Sequence, residues 1–358
     1  MNKAIFAINS SIGQAGQGMV VNQALIEFKQ RGLLKKVYCS AKGRYILEDL
    51  PLETVSLPSR LFSVLLRVPY LRNRKDIVTL ISDIIFDKLI SKKIDLGASD
   101  FFIGVMGHCS NTIKKLKTHY QKKIILYCIN SHINNLFNIL EEEDKKFSGG
   151  IKTHFVHKKM VKRVLEEYEY SDYIFVVSKY AYDTFIENGV KKEKLRVVWP
   201  GIDLCRFYPR NIKKDKIFRI CYSGMLTLRK GFQYLLKALE ELNLPNLELL
   251  ICGNSGDPVC QDILKYYKKR IKVEQWKGRD HVEAYWRSDI LILPALEDGW
   301  GLVVSEAMAC GLPVVVTEHT GAKDMVEEGI NGFIIPPADV EAIKKKIRTM
   351  PPDPARVK

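Results

Sequence analysis

Near-continuous apolar runs alternate with helical stretches along almost the whole chain, and that order leaves few folds open. AIFAIN (4–9) reads as a strand. A Gly-rich turn and a helix from Met19 to Arg31 follow, with Gly32 as the stop. Further strands are expected at 36–41, 101–106, 124–128, 172–177 and 195–199. Strands that are apolar on both faces belong to parallel sheets covered by helices on each side. Pro200 to Asp215 breaks the order with two prolines, a glycine and a basic cluster, and reads as an inter-domain connection. The alternation then restarts with strands FRICYS (218–223), LELLIC (247–252), IKVEQW, DILILP, LPVVVT and GFIIP. Helices are expected at 230–243, 258–270 and Val340 to Thr349. The expected fold class is α/β: two Rossmann-like doubly wound domains, 1–200 and 201–358, facing across a cleft. Ligands of such sheets bind at the C-terminal ends of the strands.

Composition narrows the class further. Hydrophobic residues make up 46% and charged residues 27%, enough apolar side chain to exclude an intrinsically disordered chain. No apolar run approaches the ~20 residues that span a bilayer. MNKAIFAINSS has no small-residue cleavage site, so no signal peptide is expected. The eight cysteines are dispersed without a CxxC, and read as buried thiols of a reducing cytoplasm. The tail PPDPARVK reads as frayed or as a chain cut short.

The segment that carries chemistry is PALEDGWGLVVSEAMACGLP, from Pro294 to Pro313. A strand ends in Glu297 and Asp298, then Gly299, Trp300 and Gly301 lead into a helix from Leu302 to Cys310. Unpaired N–H groups at a helix start, reached past glycines, suit a phosphate. Glu306, about one turn into that helix, cannot help a phosphate, but it can accept hydrogen bonds from vicinal hydroxyls. Asp298 can do the same for a second sugar. Together these describe a nucleotide-sugar site. The plain alternative is a helix cap at Asp298 and a solvated Glu306. Gly13, Gly16 and Gly18 form the turn after the first strand, but the spacing is not GxGxxG and no acid ends the second strand, which argues against a dinucleotide enzyme. His108 and His132 each end a strand and are cleft candidates. His154 and His157 have an HxxH spacing without a third ligand nearby, and read as helix surface.

Asp298-x7-Glu306, with GWGL inside and EAMACGLPVVVT after it, resembles the signature of the family 4 retaining glycosyltransferases of GT-B fold. SDYIFVVSKYAYDTF (171–185), NGVKKEKLRVVWPGIDLCRF (188–207), RKGFQYLLKAL (229–239) and GAKDMVEEGINGFIIPPAD (321–339) resemble that family in the same order. The resemblance implies that Asp298 contacts hydroxyls of the transferred sugar, although Glu is usual there, so that neighbouring Glu297 could share the role. It implies that Glu306 binds the ribose, and that the backbone of Gly299, Trp300, Gly301 and Leu302 meets the diphosphate. Lys230 matches the family lysine; the arginine position is Met225, with Arg229 the nearest substitute. Cations there oppose charge growth on a leaving diphosphate. The turn at Gly13 and Gly16 would close over the donor phosphates, and His108 would lie near the transferred sugar. No metal or other cofactor is expected.

The formal charge of +15, from 56 Lys and Arg against 41 Asp and Glu, is concentrated in two places in the first half. Residues 56–76 mix five basic residues with Leu, Val and aromatics; Lys114, Lys115, Lys117, Lys122 and Lys123 form the second cluster. A basic, apolar-rich segment suits an anionic membrane face, and equally suits a helix packed on the sheet with snorkelling arginines. No nucleic-acid motif is present, so no nucleic-acid partner is expected. The expected protein is a cytoplasmic, peripherally membrane-bound retaining glycosyltransferase. Its donor would be a nucleoside-diphosphate-sugar and its acceptor a lipid-linked or polysaccharide glycan. A nucleotide-sugar epimerase of the same fold and a catalytically inactive partner protein are the alternatives.

Overall fold

A computed structural model describes residues 3–349, apart from 15, 47–48, 95–98, 211, 213–214, 254–257 and 279. The tail at 351–358 lies outside the described residues. The chain divides into two compact units. One runs to Asn138 and resumes over Gly150–Pro200; the other takes Ile139–Gly149 and the chain from Gly201 onward. Residues 139–149, placed in the first half by a cut after residue 200, thus go with the second unit.

The first unit is built in the order β1 (Ala4–Ile12), α1 (Gln17–Gln30), β2 (Leu34–Lys42), β3 (Leu52–Thr54), α2 (Leu57–Leu65), α3 (Pro69–Arg72), α4 (Lys75–Lys93), β4 (Phe101–Val105), α5 (Ser110–Tyr120), β5 (Lys123–Cys128), α6 (Ile133–Phe147, whose later part belongs to the second unit), α7 (Lys158–Tyr170), β6 (Tyr173–Val176), α8 (Lys179–Glu187) and β7 (Leu195–Val197). Its seven strands lie in the order β3-β2-β1-β4-β5-β6-β7, all parallel. The edge strand β3 was not expected: three residues beside Pro51 are too few to show a period.

The second unit continues with β8 (Phe218–Ser223), α9 (Phe232–Leu242), β9 (Leu247–Cys252), α10 (Pro258–Tyr267), β10 (Val273–Gln275), α11 (Val282–Arg287), β11 (Ile290–Leu293), α12 (Leu302–Ala309), β12 (Val314–Thr317), β13 (Gly332–Ile335) and α13 (Val340–Thr349). Its six strands are also parallel, in the order β10-β9-β8-β11-β12-β13. Side chains alternate between the two faces of this sheet, and each face has its own core. Ile220, Tyr222, Leu249, Ile251, Ile290, Ile292 and Val315 pack with α9, α10 and α13. Cys221, Leu250, Cys252, Leu291, Leu293, Val314 and Val316 pack with α11 and α12. Two buried faces are the physical reason the strands read as unbroken apolar runs rather than alternating ones. Seven of the eight cysteines are buried, and Cys205 alone is exposed.

Three expectations need correction. The helix expected from residue 230 begins at Phe232, because Leu228–Lys230 forms a 3-10 turn and Gly231 interrupts with φ +69°. An added Cβ at Gly231 would lie 1.7 Å from the Pro294 carbonyl oxygen, so only glycine fits there. His154 is not on a helix surface: it is buried in the loop before α7, with Nδ1 accepting the Val156 N–H. His157 caps α7, accepting the Lys159 N–H. At 114–123 the lysines are largely occupied within the fold. Lys117 pairs with Asp172, Lys115 donates to the Ser91 carbonyl and Lys122 to the Ser99 carbonyl.

Candidate active site

In both sheets the strand order reverses beside the first strand of the unit, between β1 and β4 and between β8 and β11. Connections leaving those two strands run in opposite directions and open a crevice at their C-terminal ends. In the second unit the crevice is made by the segment after β8, which carries Arg229 and Lys230, and the segment after β11, which carries Glu297 to Leu302. The Leu296 N–H donates to the Arg229 carbonyl and joins them directly. A third segment, after β12, supports the second: the Asp298 N–H donates to His319 O, Gly321 N–H to Asp298 O, and Ala322 N–H to Trp300 O.

Four charged side chains meet at this junction. The Arg229 guanidinium donates to the Glu297 carboxylate at 2.9 Å, and Lys230 Nζ donates to Asp298 Oδ2. Both acids are buried, Glu297 fully. Burial alone would raise the Asp298 carboxyl, but Lys230, Arg229 and the Trp300 N–H together hold it below the ordinary carboxylate range. Burial likewise opposes the charge on Arg229, and Glu297 and Asp298 outweigh it. The cations are therefore not solvated at a helix start; they are paired in a cluster with no net charge.

One assignment changes in detail. Glu297 is not positioned to share hydroxyls with Asp298, because its carboxylate is turned inward onto Arg229. The Trp300 ring is buried, with Nε1 donating to Ser305 Oγ at 2.9 Å. Gly299 precedes it, Gly301 caps α12 with φ +87°, and Leu302 is the first residue of the helix. Met225 is 60% exposed beyond β8.

Glu306 is buried on α12, so the solvated alternative does not hold. Its Oε2 lies 2.7 Å from Tyr285 Oη and 3.1 Å from His281 Nε2. Tyr285 Oη is also 3.0 Å from Ser223 Oγ at the end of β8. Sequence reasoning missed Tyr285, His281 and Ser223. EAYWRS shows only an amphipathic helix start, and nothing local says that its tyrosine reaches a carboxylate 21 residues away.

The remaining candidates belong to the first unit. Gly13 is pressed against the 43–46 segment: an added Cβ would lie 2.7 Å from Tyr45 backbone atoms, so close chain approach explains this glycine. Gly16 caps α1 and faces open space. His108 is buried; its Nδ1 accepts the Asn9 N–H at 3.2 Å and its Nε2 lies 3.7 Å from Asp83 Oδ1. Burial, with Arg163 nearby, pushes its pKa down to about 4, while burial raises Asp83 to about 7. The His108 turn is held by Glu167, which accepts the Gly107 and Cys109 N–H groups at 2.6 and 3.0 Å. His132 is not a cleft residue. It is 1% exposed, its ring packs between Tyr168 and Phe185, and Nδ1 accepts the Asn134 N–H at the start of α6.

Two parallel-sheet Rossmann-like units, with a charged crevice at the switch point of the second, define the architecture of the GT-B glycosyltransferases. Residues 207–356, less than half of the chain, match the family described as "Glycosyl transferases group 1". Among curated relatives, the amylovoran biosynthesis glycosyltransferase AmsK of Erwinia amylovora is 27% identical over 268 residues, covering 69% of this chain and 60% of AmsK. This chain spans about half the length of the curated relatives it matches, from 35% to 60%. Sucrose-phosphate synthase of Thermosynechococcus elongatus superposes with a TM-score of 0.70 at 18% identity, covering 99% of this chain and 91% of that one. Anabaena HepE in complex with UDP-glucose gives 0.63 at 18% identity, with 97% and 89% covered.

Proposed function

We propose that this chain is a retaining glycosyltransferase of family 4 type. It would move a sugar from a nucleoside-diphosphate-sugar to an acceptor hydroxyl of a lipid-linked or polysaccharide glycan. The observation that carries the reading is the junction after β8 and β11, where Lys230 and Arg229 meet Asp298 and Glu297 beside the start of α12. The group 1 match over the same residues supports it, as does AmsK, named for polysaccharide biosynthesis. UDP-sugars are the first donors to test, because HepE has this fold and holds UDP-glucose.

In this reading the neutral cluster is the resting arrangement. An incoming diphosphate competes with Asp298 for Lys230, and Asp298, released, accepts hydroxyls of the transferred sugar. Glu306, oriented by Tyr285 and His281, takes the ribose hydroxyls. Glu297 acts through Arg229, keeping a second cation beside the departing phosphate. Charge grows on that phosphate as the glycosidic bond breaks, so Lys230 and Arg229 stabilise the transition state more than the ground state. The reaction invokes no metal. His108, neutral and engaged by Asn9, is a positioning residue here. The chain would act at the cytoplasmic face of a membrane. Its contact surface would be α2 and α3, where Leu57, Val64, Val68 and Tyr70 are exposed among Arg60, Arg67 and Arg72.

Thermal-shift measurements with UDP, ADP, GDP and their glucose conjugates test donor binding. Product analysis with and without acceptor tests the reaction. Stabilisation by a sugar nucleotide and acceptor-dependent release of the nucleoside diphosphate are expected. Turnover of the donor alone into an epimer, or binding with no turnover, would overturn the reading.

A further inference from the structure

A pocket of about 660 Å³ lies within the second unit, away from the charged junction, between α9, α10 and the turn before α13. That volume is in the range of small-molecule sites. Its walls are aromatic: Tyr234, Tyr266, Tyr267 and Phe147 line it with Ile263 and Val340. Tyr266 and Phe147 are 50% and 40% exposed, so two of those rings form an open rim. The Arg270 guanidinium lies 3.6 Å over the Tyr266 ring and holds it in place.

The polar side of the pocket is incomplete. Gln233 lines it and is 4% exposed. Its Nε2 donates to Glu143 Oε1 at 2.7 Å and to the Leu228 carbonyl at 3.0 Å, which uses both amide hydrogens. Its Oε1 is buried with no hydrogen-bond partner. A buried amide oxygen left without a donor is costly, so something carrying an O–H or N–H is wanted there. Asp262 and Lys237 on the pocket wall add an acceptor and a donor.

We propose that this pocket binds a sugar residue of a glycan. Pyranose rings present C–H faces that pack on aromatic rings and hydroxyls that donate and accept at the same time. That pairing fits an aromatic wall with a donor-seeking carbonyl, an acid and an amine. The choice of a glycan rests on the transferase reading, in which a growing glycan is the acceptor and can be held at a second point. Gln233 also grips the carbonyl of Leu228, the first residue of the turn that carries Arg229 and Lys230, so occupancy bears directly on that turn.

The test is saturation-transfer NMR with methyl β-glucoside, methyl β-galactoside, methyl α-mannoside and uridine. It is run on the full chain and on Tyr266→Ala and Ile263→Trp, with circular dichroism as the folding control. Binding of at least one glycoside is expected, weakened about tenfold in both variants. No glycoside signal overturns the proposal, as does binding retained in either folded variant, or a variant-sensitive signal from uridine alone. UDP-glucose binding in the same samples separates the two readings. Donor binding without glycoside binding sinks only the pocket. Glycoside binding without donor binding sinks the transferase and leaves a glycan-binding protein.

Discussion

Among single residues, the pairing of Lys230 with Asp298 makes the sharpest demand. If the diphosphate displaces Asp298, then Asp298→Asn frees the lysine in advance. Bare UDP should bind at least as tightly as to the parent chain, while turnover of the sugar donor falls at least about a hundredfold. Calorimetry and steady-state kinetics check the two halves, and weaker UDP binding would end the exchange idea. Lys230→Ala should lower kcat more than it raises KM, whereas Glu306→Ala should raise KM for every donor sharing the base and ribose. The buried His108 carries a pH signature of its own. Its folded pKa of about 4 lies below the ordinary value of 6.5, so its contribution is fully present above about pH 6.5 and is lost as pH falls toward 4. At pH 5 that loss is about 2 kcal/mol. Urea unfolding of His108→Gln should show a correspondingly flatter decline over that window than the parent chain.

The elements show where glycine is a matter of contact rather than local backbone. Gly231 and Gly16 have similar positive φ, +69° and +74°, and both precede a helix. An added Cβ at Gly231 meets the Pro294 carbonyl at 1.7 Å; at Gly16 it meets nothing within 4 Å. Gly16→Ala should therefore cost about 1–3 kcal/mol, the backbone strain alone, since its ψ of −137° lies outside the left-handed region of Gly231. Gly231→Ala should cost about 3 kcal/mol or more and disturb the joining of the Arg229 and Leu296 segments. Denaturant melts of the two variants make the comparison; equal losses would mean that the approach of these segments is not what selects glycine. α2 and α3 carry the other element-level claim. Leu57 and Val64, seven residues apart on α2, share a face of that helix, and exposed Val68 and Tyr70 follow, with Arg60 and Arg67 among them in sequence. Arg60→Glu with Arg67→Glu should abolish sedimentation with phosphatidylglycerol vesicles at low salt, leaving the melting temperature within a few degrees. Vesicle binding that survives the double change, or that ignores ionic strength, would remove the membrane surface.

Across the whole molecule, two sheets with both faces buried are a consequence of composition and order. Runs such as ILIL and VVVT have no polar face to turn to water, so helices had to cover both sides, and a parallel sheet follows. The acids of the 294–313 segment, the lysine at 230 and the helix start at Leu302 were legible for the same kind of reason. They are consecutive, and their chemistry is local. What the sequence could not express is which partner each charge takes. Arg229 and Glu297 are 68 residues apart and meet because β8 and β11 are neighbours in the sheet; Tyr285 and Glu306 are 21 apart and meet because α11 and α12 pack on the same face of it. His132 shows the opposite case: it lies four residues beyond β5, immediately before α6, and its ring turns into the core between Tyr168 and Phe185. Fold class and the identity of the charged segments came from the chain alone, because apolar period and helix-start chemistry act over a few neighbouring residues. The pairing of those charges, the burial of both histidine rings and the open carbonyl of Gln233 were decided by tertiary packing, because each depends on atoms that the linear order keeps far apart.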